Sequence, residues 1–343
     1  MDAVGRQMGL HWKPETRQRL SAAAQWLLAH MDESGQAVNL GNNDGALVLP
    51  LAVGGAADYR PVAQAAAMAF IGRAAFAPGI WDEAQLWLAL PRPTQQWGAD
   101  RCLTGVGRLN GAESWATVRA VKFAARPAHA DQLHVELWWH GQNLACDPGT
   151  YLYNGLPPWQ NGLVGVEVHN GLMVDGQQTM RRAGRFLWLD WDQARWLEQT
   201  ERRLVAEHCG YERMGVRHVR TLEWLGGNDW QVIDDVLPLR GGEHSLALHW
   251  LLPDFPWHME AQTMHLMTDG GPLWLWVRLE GLEKLPEVDF VRAGERLIGR
   301  GEVDERRGWV SRIYGERSAA LSLCWHGRGQ LPLRWVSHWH LGS

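Results

Sequence analysis

Apolar residues recur at helical spacing only in the first quarter of the chain. Over 13–30, Leu20, Ala24, Leu27 and Leu28 share a face and Met31 follows, with Pro14 and Glu15 suited to a first turn. The alanine-rich span 61–76 carries Val62, Ala66, Ala69 and Phe70 behind Pro61, and 81–90 predicts a third helix stopped by Pro91 and Pro93. The Asn/Gly/Asp loop 39–45 reads either as a cleft-lining loop, with Asn42 and Asp44 as candidate substrate contacts, or as an ordinary interhelical turn. A linker at 91–100 then separates a helical segment, 1–95, from a strand domain, 96–343.

From there the period falls to two. Alternation predicts strands over 114–123, 133–138, 217–225, 230–236, 245–251, 264–267, 273–279, 309–313, 319–324 and 333–337, with glycine turns at 226–228, 241–242 and 270–271. Many short strands with hardly a helix among them predict a stacked antiparallel β-sandwich, so the fold class is α+β, multidomain.

The chemistry concentrates in 126–192. Leu133, Val135 and Leu137 alternate with His134, Glu136 and Trp138, a strand with one buried face, and His129 precedes it. Gly141-Gln142-Asn143 turns the chain into a returning strand, 144–146, which Asp147-Pro148-Gly149 ends. A third strand, 164–168, delivers His169, and Asn170-Gly171 turns it into 172–174. His129, Asp147 and His169 can thus converge at one end of a sheet. Such a set suits a divalent cation, zinc foremost, while Asp-Pro-Gly is also simply a turn.

Composition narrows the partners. A net charge of −5 and pI near 6.3 provide no footprint for nucleic acid, and no basic run suggests a membrane surface. Cys102, Cys146, Cys209 and Cys324 are widely spaced and read as reduced thiols, with two distant disulfides as the alternative. No signal peptide is visible, which places the chain as written in the cytoplasm, or in the periplasm or medium if it is a fragment. Of the 22 tryptophans, most sit in strand patterns and read as core filling; Trp159, in the Pro157-Pro158 loop, is the better candidate for a sugar contact. Arg181, Arg182 and Arg185 read either as partners for a sugar carboxylate or as an exposed turn.

His129-Ala130-Asp131, Asp147-Pro148-Gly149-Thr150-Tyr151-x-Tyr153-Asn154, Pro157-Pro158-Trp159, Val168-His169-Asn170, Val174-Asp175-Gly176, Arg182-Ala183-Gly184 and Leu189-Asp190-Trp191, in this order, resemble the C-terminal half of the heparinase II/III family of polysaccharide lyases. Asn39 to Gly45 with the helix start at 47–51, and Trp81-Asp82-Glu83, resemble the end of that family's helical domain. The resemblance implies the end of an α/α-toroid before the β-sandwich, β-elimination on uronic-acid-containing polysaccharide, and a zinc held by His129, Asp147 and His169. Tyr153, Trp159, Asn170 and Arg182 then join Asn42 and Asp44 as expected substrate contacts. Two positions depart from the pattern. Pro127 stands where some members carry a second histidine, and the segment before His169 lacks the arginine of many relatives.

The family's catalytic tyrosine and its helical-domain partner lie upstream of the matched stretch, so the resemblance implies that this chain lacks them. Three or four helices leave an open apolar edge, which predicts self-association or a partner chain that supplies the earlier helices. A non-catalytic carbohydrate-binding or assembly module is the alternative reading.

Overall fold

The computed structural model describes residues 2–32, 34–39, 41–46, 50–55, 57–98, 105–282 and 285–342. The chain divides into two compact units, Met1–Val38 with Gly45–Thr104, and Asn39–Asp44 with Gly105–Ser343. The 39–44 loop therefore belongs with the strands and not with the helices that flank it in sequence.

In the helical unit, Asp2–Gln7 and Pro14–Ala29 are followed by Arg60–Ala66, which continues as a π-helical turn over Ala67–Ile71. Leu28, Met31, Ala63 and Ala67 form one small core, and Ala65, Met68, Ala84 and Leu90 a second. The helix expected over 61–76 stops at Ile71 because Gly72 adopts a left-handed conformation, φ 76°, that closes the C-terminus. Buried Gln64 then organises the next turn. Its carbonyl accepts the N–H groups of Ala75 and Phe76, and its amide donates to Asp82 Oδ1 at 2.6 Å. The last helix is shorter than 81–90, a 3₁₀ turn Ile80–Asp82 leading into Glu83–Trp87. Of the helix start expected at 47–51, residues 47–49 lie outside the described residues, and Pro50 and Leu51 are not helical. Val62, Ile80, Leu86 and Trp87 remain exposed.

The strand unit is built from antiparallel ladders. An eight-stranded sheet runs, in spatial order, Trp257–Glu260, Thr263–Thr268, Gly271–Glu280, Leu333–Leu341, Asp229–Pro238, Val216–Gly226, Arg203–His208 and Ala194–Gln199. A second sheet orders Glu295–Ile298, Glu287–Arg292, Ser318–Gln330, Glu243–Pro253 and Leu172–Val174, with Trp309–Val310 pairing Ser318–Gln330. A four-stranded sheet holds Val106–Asn110, Ser114–Arg119, Val135–Trp139 and Gln142–Ala145.

Indoles lock these layers together. Trp250 of the second sheet meets Trp339 of the first edge-on, centroids 5.0 Å apart at 82°, and donates to Ser337 Oγ at 3.0 Å. Trp230 donates to Ser114 Oγ across to the four-stranded sheet at 2.9 Å. Each of these indoles finds a partner for its N–H while contributing a large apolar surface, whereas the buried N–H groups of Trp139, Trp325 and Trp335 have none among the described residues. Trp115, Trp138, Trp139, Trp188, Trp250, Trp335 and Trp339 are all buried, whereas Trp276 lies on the outer face of the eight-stranded sheet.

Several boundaries differ from the alternation pattern. The segment 164–168 is no strand but a 3₁₀ turn, Val166–Val168, and the Val166 N–H donates to the Gln178 side chain instead of to a ladder. Trp309–Val310 is a two-residue strand, because Ser311 turns its N–H to Pro148 O at 2.8 Å. The charged strand Arg203–His208 carried no alternation signal, and Glu287–Arg292 was missed although Glu287-Val288-Asp289-Phe290 alternates. Cys146, Cys209 and Cys324 are free thiols, and burial pushes the Cys146 thiol up to about 12. No described helix is long and apolar enough to cross a membrane.

Candidate functional site

Val135–Trp139 is buried along its whole length. Val135, Leu137 and Trp139 enter the main core, so His134 and Glu136, just before and within the strand, face the other way into a second buried layer. That layer is the candidate site. Leu133, in the left-handed region at φ 61°, kinks the chain before the strand. Its N–H donates to Arg119 O at 2.7 Å, and its carbonyl accepts from Arg220 at 2.8 Å.

His129, Asp147 and His169 come together there, all buried, with one donor atom of each within 4.8 Å of the others. His129 Nδ1 lies 3.3 Å from His169 Nε2, and that nitrogen lies 3.5 Å from Asp147 Oδ2. Four-coordinate zinc with bonds of about 2.0–2.1 Å spaces its donors by roughly 3.3 Å, so the set is close to ligating geometry. Tautomers support the same use. His169 Nδ1 lies 2.7 Å from Gly165 O, to which it donates, and this leaves Nε2 as a bare acceptor facing the other two residues. His129 Nε2 and Asp147 Oδ2 are buried without a hydrogen-bond partner. A buried polar atom left unpaired costs on the order of 1–3 kcal/mol, which a cation held by the three residues would relieve at Asp147 Oδ2.

His134 plays a different part. Its Nδ1 accepts the Asn170 N–H at 3.0 Å, so in the neutral ring the proton sits on Nε2, 3.6 Å from Asp147 Oδ2. With its Nδ1 taken up by Asn170 and its Nε2 beyond hydrogen-bond length of the carboxylate, His134 stands beside Asp147 and not among the three ligands. Asp147 Oδ1 accepts Asn39 Nδ2 at 2.6 Å and the Gly149 N–H at 2.7 Å. Glu136 accepts the Asn39 N–H at 3.0 Å, Asn143 Nδ2 at 2.6 Å and Trp138 Nε1 at 3.2 Å. Asn39 thus ties the 39–44 loop to both carboxylates.

Burial, then the charges of His169 and Arg119, hold the His129 imidazole well below its usual range; burial, then His169 and Arg220, do the same for His134. Both rings are therefore neutral near pH 7, the form a cation needs. Burial raises the Asp147 carboxyl, opposed by His169 and the Gly149 N–H, and burial with the nearby Asp147 charge raises Glu136 well above the carboxylate range.

Asn170 is fully buried with its amide consumed internally. Nδ2 donates to Val135 O and Cys146 O at 2.9 and 3.0 Å, and Oδ1 accepts the Leu251 N–H at 2.7 Å. Expected as a substrate contact, it instead joins three segments behind the site. Its carbonyl accepts from Arg220, which also binds Asp234 through Nε and Nη2 at 2.6 and 3.0 Å. From Asp234 a buried chain continues through His218, His208 and Asp192 at 2.6, 2.9 and 2.7 Å.

This chain dictates a pH response. Burial lowers His218 to about 4, against the raising effect of Asp234. Burial opposes ionisation of Asp234, yet the Arg220 charge and the His218 hydrogen bond hold it at about 2. Both folded-state values lie below the unfolded ones of about 6.5 and 3.9, so the unfolded chain binds more protons in each window. Unfolding free energy is expected to fall as pH drops from about 6.5 to 4 through His218, and again from about 4 to 2 through Asp234, by at most about 1.4 kcal/mol per pH unit for each group. Urea unfolding at stepped pH checks this; stability flat between pH 6.5 and 4, or rising as pH falls, would contradict it.

The remaining expected contacts surround the cluster at greater exposure. The Asp44 charge helps burial to raise the Tyr153 hydroxyl, which places the two residues as neighbours; Asn42 is exposed on the same loop. The Tyr153 ring lies 5.2 Å from Phe186 and 5.1 Å from Tyr314. Trp159 already carries a cation on its face, the Arg317 guanidinium 3.7 Å from the ring centroid, which also contacts Tyr151 and Trp309. Arg182 lines an open depression with Gln160 and Arg185 and donates to the carbonyls of Asn161 and Gln160, both at 3.2 Å. Burial and then the neighbouring Arg306 charge lower its pKa. Asn39, His134, Glu136, Arg220 and Arg317 escaped the sequence reading. Only the polar residues opposite an apolar strand face, His134 and Glu136, left a usable signal.

With fold and geometry in hand, comparison with known proteins places the chain. Residues 103–336 match the family model described as heparinase II/III-like, C-terminal. None of the curated proteins matches by sequence. Among solved structures, the heparan sulfate lyase HepC from Pedobacter heparinus is 15% identical with a TM-score of 0.61, over 92% of this chain and 45% of that one. A heparinase III is 14% identical with a TM-score of 0.61, over 96% and 49%. Another heparinase III, with methylated lysines, is 17% identical with a TM-score of 0.56, over 76% and 38%. At these identities the structures show the fold alone, and the chain spans less than half the length of each. The family model covers most of the strand unit, including every residue of the buried His/Asp/His cluster, and the chain belongs to the heparinase II/III-like family.

Proposed function

We propose that this chain is the C-terminal part of a polysaccharide lyase acting by β-elimination on uronic-acid-containing polysaccharide, glycosaminoglycan-like in charge. The observation that carries the reading is the buried His129/Asp147/His169 cluster inside the region matched by a lyase family. In such a reaction a base removes the C5 proton, the electron pair forms the C4–C5 double bond, and the 4-linked oxygen leaves with a proton from an acid. The growing charge on the uronate carboxylate needs a fixed cationic partner. Zinc, held by His129, Asp147 and His169, would supply structural cross-linking of one cleft wall. The exposed Arg182 and Arg185 would meet the substrate carboxylates, with Asn42, Asp44, Tyr153 and Trp159 along the same wall.

The proton-transfer pair is proposed to lie outside this chain. Among the described residues, Tyr211 is buried and donates to Leu172 O, and Tyr314 has its hydroxyl engaged by the Tyr153 N–H. Tyr151 and Tyr153, in the site stretch, are the stand-ins if the chain acts alone; the second reading is a carbohydrate-binding or assembly module completed by a partner chain.

Incubation with a panel of polyuronates, read by the ultraviolet absorbance of the unsaturated product and by affinity electrophoresis, tests both readings. Binding without product is expected, weakened about tenfold in Arg182→Ala, the loss of one charge-assisted contact. Product from this chain alone would overturn the missing proton-transfer pair, and no binding to any polyuronate would overturn the substrate class.

A further inference from the structure

A second group of metal-type donors lies on the outer face of the eight-stranded sheet, on its edge hairpin of Trp257–Glu260 and Thr263–Thr268. His258 and His265 are direct cross-strand partners, and Glu260 follows two residues after His258, beside the turn at Ala261. Met264 and Leu266 enter the core and Met259 packs against it, so alternation turns His258, Glu260 and His265 outward. His258 and Glu260 are exposed and His265 is half-buried.

The two imidazoles stack with centroids 4.2 Å apart and planes 21° from parallel. One donor atom from each ring and one from the carboxylate lie within 4.8 Å of one another. Stacked rings at this separation disfavour double protonation. Burial first, and then the His258 charge, lower His265, with Glu260 opposing. The indole of Trp274 stands edge-on to the His265 ring at 6.2 Å.

We propose that His258, Glu260 and His265 form a surface site for a first-row divalent cation of the zinc, nickel or copper class, with water in the remaining positions. Donors around such an ion stand roughly 3.3 Å apart, and side-chain rotation of the exposed His258 and Glu260 closes the remaining gap without disturbing the ladder. Two imidazoles with one carboxylate select these ions over magnesium and calcium, which prefer all-oxygen shells. All three ligands come from one hairpin, so an occupied site pins the strand that ends the sheet and restrains an edge otherwise open to pairing. The proposal stands independently of the lyase reading and of the buried cluster.

Calorimetric titration of the chelator-treated full chain with Zn²⁺, and separately with Mg²⁺, tests it. The wild type is expected to show a micromolar Zn²⁺ transition that His258→Ala and His265→Ala each weaken at least tenfold and Glu260→Gln severalfold. Mg²⁺ should bind at neither affinity. The transition should persist in His129→Ala/His169→Ala; if that variant does not fold, comparison of the two hairpin variants with wild type decides alone. These outer-face substitutions should melt as wild type without metal. Wild-type titration behaviour in both His258→Ala and His265→Ala, or loss of all Zn²⁺ binding in a folded His129→Ala/His169→Ala protein, would overturn the site.

Discussion

Replacing Arg220 with methionine is expected to remove about 3–5 kcal/mol of unfolding free energy, the cost of leaving a buried charge without its partner. Arg220 and Asp234 are opposite one another in the ladder between Val216–Gly226 and Asp229–Pro238, and both are fully buried. Methionine keeps much of the side-chain volume but removes two hydrogen bonds to Asp234 and those to Leu133 O and Asn170 O. The carboxylate would then rely on His218, and two buried carbonyls would lose their donor. Because those carbonyls flank His134 and His169 in sequence, loosening should reach the site as well as the core. Arg220→Met/Asp234→Leu should recover a large part of the loss, since removing both charges avoids the stranded one. Urea unfolding reads both; a loss under about 1 kcal/mol for Arg220→Met would mean that the pair contributes little.

The second large effect concerns the buried cluster. Purified wild-type protein is expected to carry close to one zinc per chain, and His129→Ala, Asp147→Asn and His169→Ala to carry almost none. Three protein donors with water in the fourth position leave no redundancy, so removing any one should abolish tight binding. His134→Gln should retain the metal with affinity lowered about 10–100-fold, as befits a residue that packs beside Asp147 in the shell around the ligands without ligating. Stability should follow: a ligand at 1,000 times its dissociation constant stabilises the folded state by about 4 kcal/mol. A chelator should therefore lower the melting temperature of the wild type and leave that of the three ligand variants unchanged. Elemental analysis with melting curves decides it. Metal-free wild-type protein, or zinc retained in His169→Ala, would remove the metal from the proposed function while leaving the fold intact.

Local patterns carried a good deal of this molecule. Period-two alternation marked the central ladders from Val216–Gly226 through Leu333–Leu341, because a half-buried strand writes its burial directly into its residue order. Proline and glycine marked helix starts and stops for the same local reason. His129, Asp147 and His169 were legible as donors beside turns, 18 and 22 residues apart.

Contacts between distant segments decided the rest. His134 and Glu136 read as the wet face of a strand, yet they are buried, because the 39–44 loop brings Asn39 back over a separation of 97 residues to Glu136 and 108 to Asp147. The same contacts placed that loop in the strand unit although the segments before and after it belong to the helical unit. Arg220 read as an ordinary position in an alternating strand and Asn170 as a turn residue and substrate contact. Their burial is tolerable only because Asp234, Leu133, Val135, Cys146 and Leu251 supply partners. Whether a polar side chain points to water or into a site depends on which partners arrive to satisfy it, and those partners are set by the packing of sheets, not by the spacing of residues along one strand.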